Sequence, residues 1–181
     1  MAIIKLVKPK NDEYYLMNCI WYLLRRDKNS QGLYGGRNLV VTDNPYHISG
    51  QFQAVGKLYA KRNPIIPLHF ILSFNPYSRG EDLTPYQVDI IAWNLCMYLT
   101  CLSDYQILYG VHDNTFYPHI HFIVNPVNLR TGSMLNFNYE EQEKLFEDIS
   151  FVLNLEGFWK GYRPIKLLRP ILYEEESVDD T

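Results

Sequence analysis

Three of the chain's five histidines fall within ten residues, in the run His112-Asp-Asn-Thr-Phe-Tyr-Pro-His119-Ile-His121. In an extended segment, residues two apart point to the same face. His119 and His121 therefore project together, with α-carbons about 7 Å apart. Ile120, Phe122 and Val124 then point the other way, into a core. His112 ends the preceding apolar run and can reach the same patch across a short turn. Three converging imidazoles with coordination positions left over describe a divalent-metal site of catalytic type. Imidazole suits Mn, Zn, Ni or Co better than Mg. A metal there would act as a Lewis acid on a phosphoryl or carbonyl oxygen. Asp113 is the nearest carboxylate in sequence; it either orients a ligand or caps its own turn.

Such a centre needs a nucleophile, from bound water or from a side chain. Residues 13–26 have helical periodicity, with Leu16, Met17, Ile20 and Leu24 on one side. Tyr15, Asn18, Cys19, Tyr22, Arg25 and Arg26 gather on the other. A tyrosine hydroxyl attacks phosphorus when its proton is removed or its oxygen is held near a cation. Arg25 and Arg26 could hold phosphates bidentately. Tyr22 is thus either a nucleophile or an exposed amphipathic helix residue. Tyr15 shares its face, and the sequence does not separate the two.

These residues must be positioned by a scaffold. Residues 2–8 alternate as a strand, 13–26 read as a helix, and Gly32, Gly35 and Gly36 mark a loop. Leu39–Val41 is a short candidate strand, and 47–60 a candidate helix interrupted by Gly50 and Gly56. Residues 67–74 read as a buried strand. Thr84-Pro85-Tyr86-Gln87 is a capping box that opens a helix over 85–102. Residues 105–112 and 118–125 form an antiparallel pair, and Asn138 to Glu141 caps a last helix. The order predicts an α+β fold, an α/β sandwich with a central, mainly antiparallel sheet and helices packed on it. Residues 1–173 are expected to form one domain and 174–181 an acidic, disordered tail.

Composition narrows the function classes. With 181 residues, 47% hydrophobic and 20% charged, the chain can build a core, which excludes a disordered or collagenous protein. The net charge of −3 disfavours a globally basic nucleic-acid binder. Yet residues 1–62 hold ten basic side chains against four acidic ones, while five acids crowd the last eight residues. Aromatics reach 15%, enough for stacking surfaces as well as a core. Cys19, Cys96 and Cys101 have no metal or redox spacing, which fits a reducing compartment. The N-terminus lacks a signal-peptide pattern, and no stretch of eighteen apolar residues predicts membrane insertion.

Three blocks, in order, resemble the HUH-type relaxases, the mobilisation nucleases of conjugative and mobilisable elements. Ile20-Trp-Tyr22-Leu-Leu-Arg-Arg-Asp-Lys28 looks like the nucleophile-tyrosine block. His69-Phe-Ile-Leu-Ser73-Phe-Asn-Pro76 looks like the strand that helps hold DNA. Val111-His112 through Asn125-Pro-Val-Asn128, then Thr131-Gly132, looks like the three-histidine motif and its sequel. The resemblance implies an HUH-endonuclease-like fold and a metal-dependent transesterase on single-stranded DNA. It would nick and rejoin one strand at a plasmid or mobile-element transfer origin through a 5′-phosphotyrosine intermediate.

By this likeness Tyr22 is the nucleophile, and His112, His119 and His121 bind a divalent ion (Mn, Mg, Zn or similar); Asp113, one position short of the family's aspartate, is the second catalytic candidate. Ser73, His69, Arg25, Arg26, Lys28 and Arg37 form the expected DNA-contacting set. Accessory relaxosome and coupling proteins are implied as partners, and a bacterial cytoplasm as the location. The family usually has aspartate two positions after the first histidine, where this chain has Asn114, which suggests weakened activity. The chain ends soon after the nuclease core, as a compact relaxase or a remnant domain would. The alternatives are a non-catalytic DNA-binding module with its tyrosine out of reach, and a metal-dependent phosphodiesterase without a covalent intermediate. A rolling-circle initiator would place its tyrosine after the histidines, with Tyr139 as the candidate.

Overall fold

Apolar residues at alternate positions make β1 (Ala2–Val7) one-sided: Ala2, Ile4 and Leu6 are buried and their neighbours half-buried. The computed structural model describes residues 2–61, 65–74, 83–159 and 167–174. After β1 come α1 (Tyr15–Leu24), β2 (Tyr34–Arg37), α2 (Pro45–Leu58) and β3 (Leu68–Phe74). Then follow α3 (Pro85–Leu102), β4 (Ile107–His112), β5 (His119–Val124), α4 (Tyr139–Trp159) and β6 (Leu167–Glu174).

Six strands make one sheet in the order β2-β4-β5-β3-β1-β6. Every neighbouring pair is antiparallel except β1 with β6, which is parallel. The α+β sandwich expected from the sequence is the one observed. Opposed residues on antiparallel strands share a face, so the pairing sorts side chains into two layers. One face carries Phe70, Leu72, Phe122, Ile120, Tyr109 and Val111 against α3 and α4, the main core. The other carries Leu108 and Ile123 against α1 and α2. Phe70 and Phe122 stack across β3 and β5 at 4.7 Å between centroids.

Helices α2, α3 and α4 start at side-chain caps. The Thr84 hydroxyl accepts from Gln87 N while the Gln87 side chain accepts from Thr84 N, and Pro85 occupies the first turn. Asn138 and Glu141 exchange the equivalent bonds at the start of α4. Asn44 caps α2, where Pro45 again opens the helix.

Three expectations change. Gly35 and Gly36 lie in strand β2, not in a loop. A β-carbon on Gly35 would meet the Tyr109 hydroxyl at 2.6 Å and one on Gly36 the Ile107 carbonyl at 2.6 Å. The glycines thus let an edge strand close onto β4. Leu39–Val41 forms no strand; Val40 N and O instead bond to the Gln51 side chain at 2.7 and 2.8 Å. Strand β6 was not expected, and Glu174, placed in the acidic tail, ends it. Residues 175–181 lie outside the described residues, as do Asn75 and Pro76 of the second motif.

Candidate active site

The register of three strands assembles the histidines. His119 opposes His112 on β4 and Ser73 on β3, and His121 opposes Gly110 and Ile71. All of these point to the face that α1 covers, with two rows of side chains stepping along β5. The His112 and His121 rings lie 4.3 Å apart, His119 and His121 5.1 Å, and His112 and His119 5.4 Å. One nitrogen from each ring falls within 4.8 Å of the others.

Each ring is oriented by its second nitrogen. His112 Nε2–H donates to the Leu23 carbonyl at 3.2 Å, and His119 Nδ1–H donates to the Tyr117 carbonyl at 3.0 Å. His121 Nδ1 lies 2.9 Å from His69 Nε2. Anchored in this way, the rings present His112 Nδ1, His119 Nε2 and His121 Nε2 to one another. His112 Nδ1 and His121 Nε2 are buried without a hydrogen-bond partner among the described residues. Two orphaned buried nitrogens cost free energy unless something accepts their lone pairs. Burial pushes His112 and His69 down to about 4, and lowers His119 and, further, His121. The rings are therefore neutral at pH 7, the state that ligates a metal. The donor set fits a divalent ion.

Tyr22 stands over this cluster. Its half-buried ring lies 5.2 Å from that of His112 and 5.3 Å from that of His121. The close approach of α1 rests on Gly110, where a β-carbon would meet Leu23 Cδ2 at 2.6 Å and Leu23 O at 3.1 Å. Helix α1 is rotated from the expected stripe: it buries Tyr15, Leu16, Cys19, Ile20 and Leu23. The helix packs on α2 as well as on the sheet, so a wider arc is covered. Tyr15 is thereby in the core, two helical turns or about 10 Å before Tyr22.

The expected DNA-contacting residues divide. Ser73 is half-buried beside His119, and Lys28 Nζ sits 6.0 Å from the Tyr22 ring centroid. His69 is buried beneath His121, not on the surface. Arg25 and Arg26 follow the last turn of α1 and are exposed; Arg25 pairs with Asp27 at 2.7 Å. Arg37 opposes Ile107 and so points to the α3 face, 6.0 Å over the Trp93 ring, away from the histidines.

Asp113 is not in the nitrogen cluster. Its carboxylate accepts from Ser30 N at 2.9 Å and Ser30 Oγ at 2.6 Å, and its N–H donates to Lys28 O at 2.9 Å. It clips the segment after α1 to the end of β4. Asn29, buried in that segment, closes it through Leu33 with bonds of 2.8 and 2.9 Å. The sequence reading passed over Asn29 and Gly110. A glycine inside an otherwise apolar strand is the one local signal that could have drawn notice. Asn114 is exposed in the turn.

Among the described residues no helix is long and apolar enough to cross a membrane. No curated protein and no solved structure matches the chain significantly. The family model for relaxases, described as the MobA/VirD2-like nuclease domain, matches residues 22–155, well over half the chain, from Tyr22 through all three histidines. The chain therefore belongs to the relaxase family, whose nuclease domains nick DNA.

Proposed function

We propose that this chain nicks and rejoins single-stranded DNA at a defined sequence, with Tyr22 as the covalent nucleophile. The observation that carries this reading is the Tyr22 ring against His112 and His121, on the face the three histidines share. Tyr22 Oη forms a bond to the scissile phosphorus as the bond to the 3′ oxygen breaks. The phenol loses its proton, the 3′ oxygen gains one, and the 5′ end stays on the tyrosine. The phosphotyrosine retains the ester's energy, so attack by a 3′ hydroxyl reseals the strand without ATP.

His112 Nδ1, His119 Nε2 and His121 Nε2 would hold a divalent ion (Mn, Mg, Zn or similar), which when bound supplies Lewis-acid stabilisation of charge on the phosphate. The Ser73 hydroxyl, opposite His119, and the Lys28 ammonium, 6.0 Å from the Tyr22 ring centroid, would donate to the same phosphate group. Arg26 is exposed beyond α1 and could follow the backbone. Asp113 contributes by holding the segment after α1. Family membership supports a transfer origin on a bacterial mobile element as the substrate, with relaxosome and coupling proteins as partners.

A non-catalytic module would have its tyrosine out of reach, and the ring distances oppose that. The test is a denaturing gel with Mn²⁺ and labelled single-stranded oligonucleotides spanning candidate origins. Wild type should give a denaturant-resistant adduct that chelator, Tyr22→Phe and His121→Ala each remove. Cleavage without an adduct would identify a metal-water phosphodiesterase instead.

A further inference from the structure

We propose that His69 sets the ring orientation and tautomer of His121, and that it is a positioning residue for the metal centre, not a DNA contact. The role rests on the metal reading above. His69 lies on β3 one residue pair along from His121, on the same face of the sheet: His69 opposes Ile123, and His121 opposes Ile71. Its Nε2 is 2.9 Å from His121 Nδ1, the rings are 5.2 Å apart, and both are buried. A surface that DNA could touch is therefore absent at His69.

The bond has a direction. His121 Nε2 is the atom facing His112 and His119, and it is buried without a partner among the described residues. To offer a lone pair there, His121 must carry its proton on Nδ1. That proton donates to His69 Nε2, which makes His69 the acceptor. A neutral imidazole with a proton on one nitrogen only can do this, so the pair is two neutral rings with matched tautomers. His112 and His119 are oriented by backbone carbonyls, which can only accept. The Thr115 hydroxyl also lies 3.5 Å from His119 Nδ1, in the turn just before β5, whereas the side chain that meets His121 Nδ1 comes from a different strand. The outer partner of a ligating histidine fixes tautomer and orientation, and its loss typically lowers metal affinity by about 10–100-fold.

Two variants of similar size separate the roles. The Gln side chain can place an oxygen where His69 Nε2 sits and accept from His121; the Leu side chain cannot. Titrate Mn²⁺ or Co²⁺ calorimetrically into metal-free wild type, His69→Gln and His69→Leu. Record ¹⁵N imidazole spectra of each without metal, and measure single-strand DNA binding in chelator.

His69→Leu should bind metal about 10–100-fold more weakly, with His69→Gln recovering most of the loss. The spectra should show His121 protonated at Nδ1 in wild type and His69→Gln only. DNA binding in chelator should match wild type in both folded variants. Equal metal affinity in wild type and His69→Leu overturns this role alone. So does a loss of DNA binding in chelator that accompanies unchanged metal affinity. Failure of wild type to bind any ion overturns the metal centre together with this role, while the tautomer spectrum still reports separately on the hydrogen bond.

Discussion

The two faces of the sheet use the same strands for opposite ends. On the α3 and α4 face, Phe70, Leu72, Ile120 and Phe122 fill the space with carbon, and the Tyr109 hydroxyl bonds to the Asp89 side chain. On the α1 face, the same strands carry His69, Ser73, His112, His119 and His121, with Leu108 and Ile123 beside them. Alternate residues of β5 therefore go to a dry wall and to a polar cluster. The difference teaches where rigidity and chemistry reside. Close packing behind the sheet holds the backbone, and the backbone holds the imidazoles in register. The polar face is left with two buried nitrogens that have no hydrogen-bond partner among the described residues, a cost that a bound metal would offset.

Substitutions on the two faces should therefore fail in different ways. Tyr22→Phe is the largest functional break: strand transfer should fall by at least about 10³-fold with fold and metal binding kept, as adduct yield and calorimetry would show. On the dry face, Phe122→Ala should cost about 3–5 kcal/mol of stability in denaturant titration, with activity per folded molecule near wild type. Metal should stabilise only through the polar face. An ion at one hundred times its Kd should add about 2.7 kcal/mol to wild type and much less to His121→Ala, read by thermal unfolding. Gly110→Ala joins the two regions. It should push α1 off β4 and lower the rate by about 10²-fold while the chain remains folded by circular dichroism.

The smallest effect is expected at Asp113. If its carboxylate serves the Ser30 clip, Asp113→Asn should cost about 1 kcal/mol and change the rate by less than about tenfold. A drop of about 10²-fold or more at unchanged stability would instead place it in the chemistry.

Much of this was legible because its signals are local. The His-x-His pair on an alternating strand puts two rings on one face whatever the rest of the chain does. The Thr84 and Asn138 boxes start α3 and α4 where their sequences say. What was missed depends on distant partners. Gly35 and Gly36 look like a loop until Tyr109 and the Ile107 carbonyl are seen to need the room. Strand β6 carries Pro170 and pairs with β1 from the other end of the chain, as an edge strand that tolerates proline. Helix α1 turned because two layers pack on it, which carried Tyr15 into the core and left Tyr22 at the cluster. Arg37 followed strand parity to the α3 face, away from the histidines. Asp113 bonds to Ser30 across 83 positions, and no spacing rule reaches that far.

Mapping the covalent bond itself tests Tyr22 as the nucleophile. Protein reacted with Mn²⁺ and a cleavable single-stranded oligonucleotide is digested with protease and nuclease, and the nucleotide-bearing peptide is sequenced by mass spectrometry. A single modified residue is expected, Tyr22, esterified through the 5′ phosphate. A modified Tyr139, or cleaved DNA with every tyrosine unmodified, would contradict it.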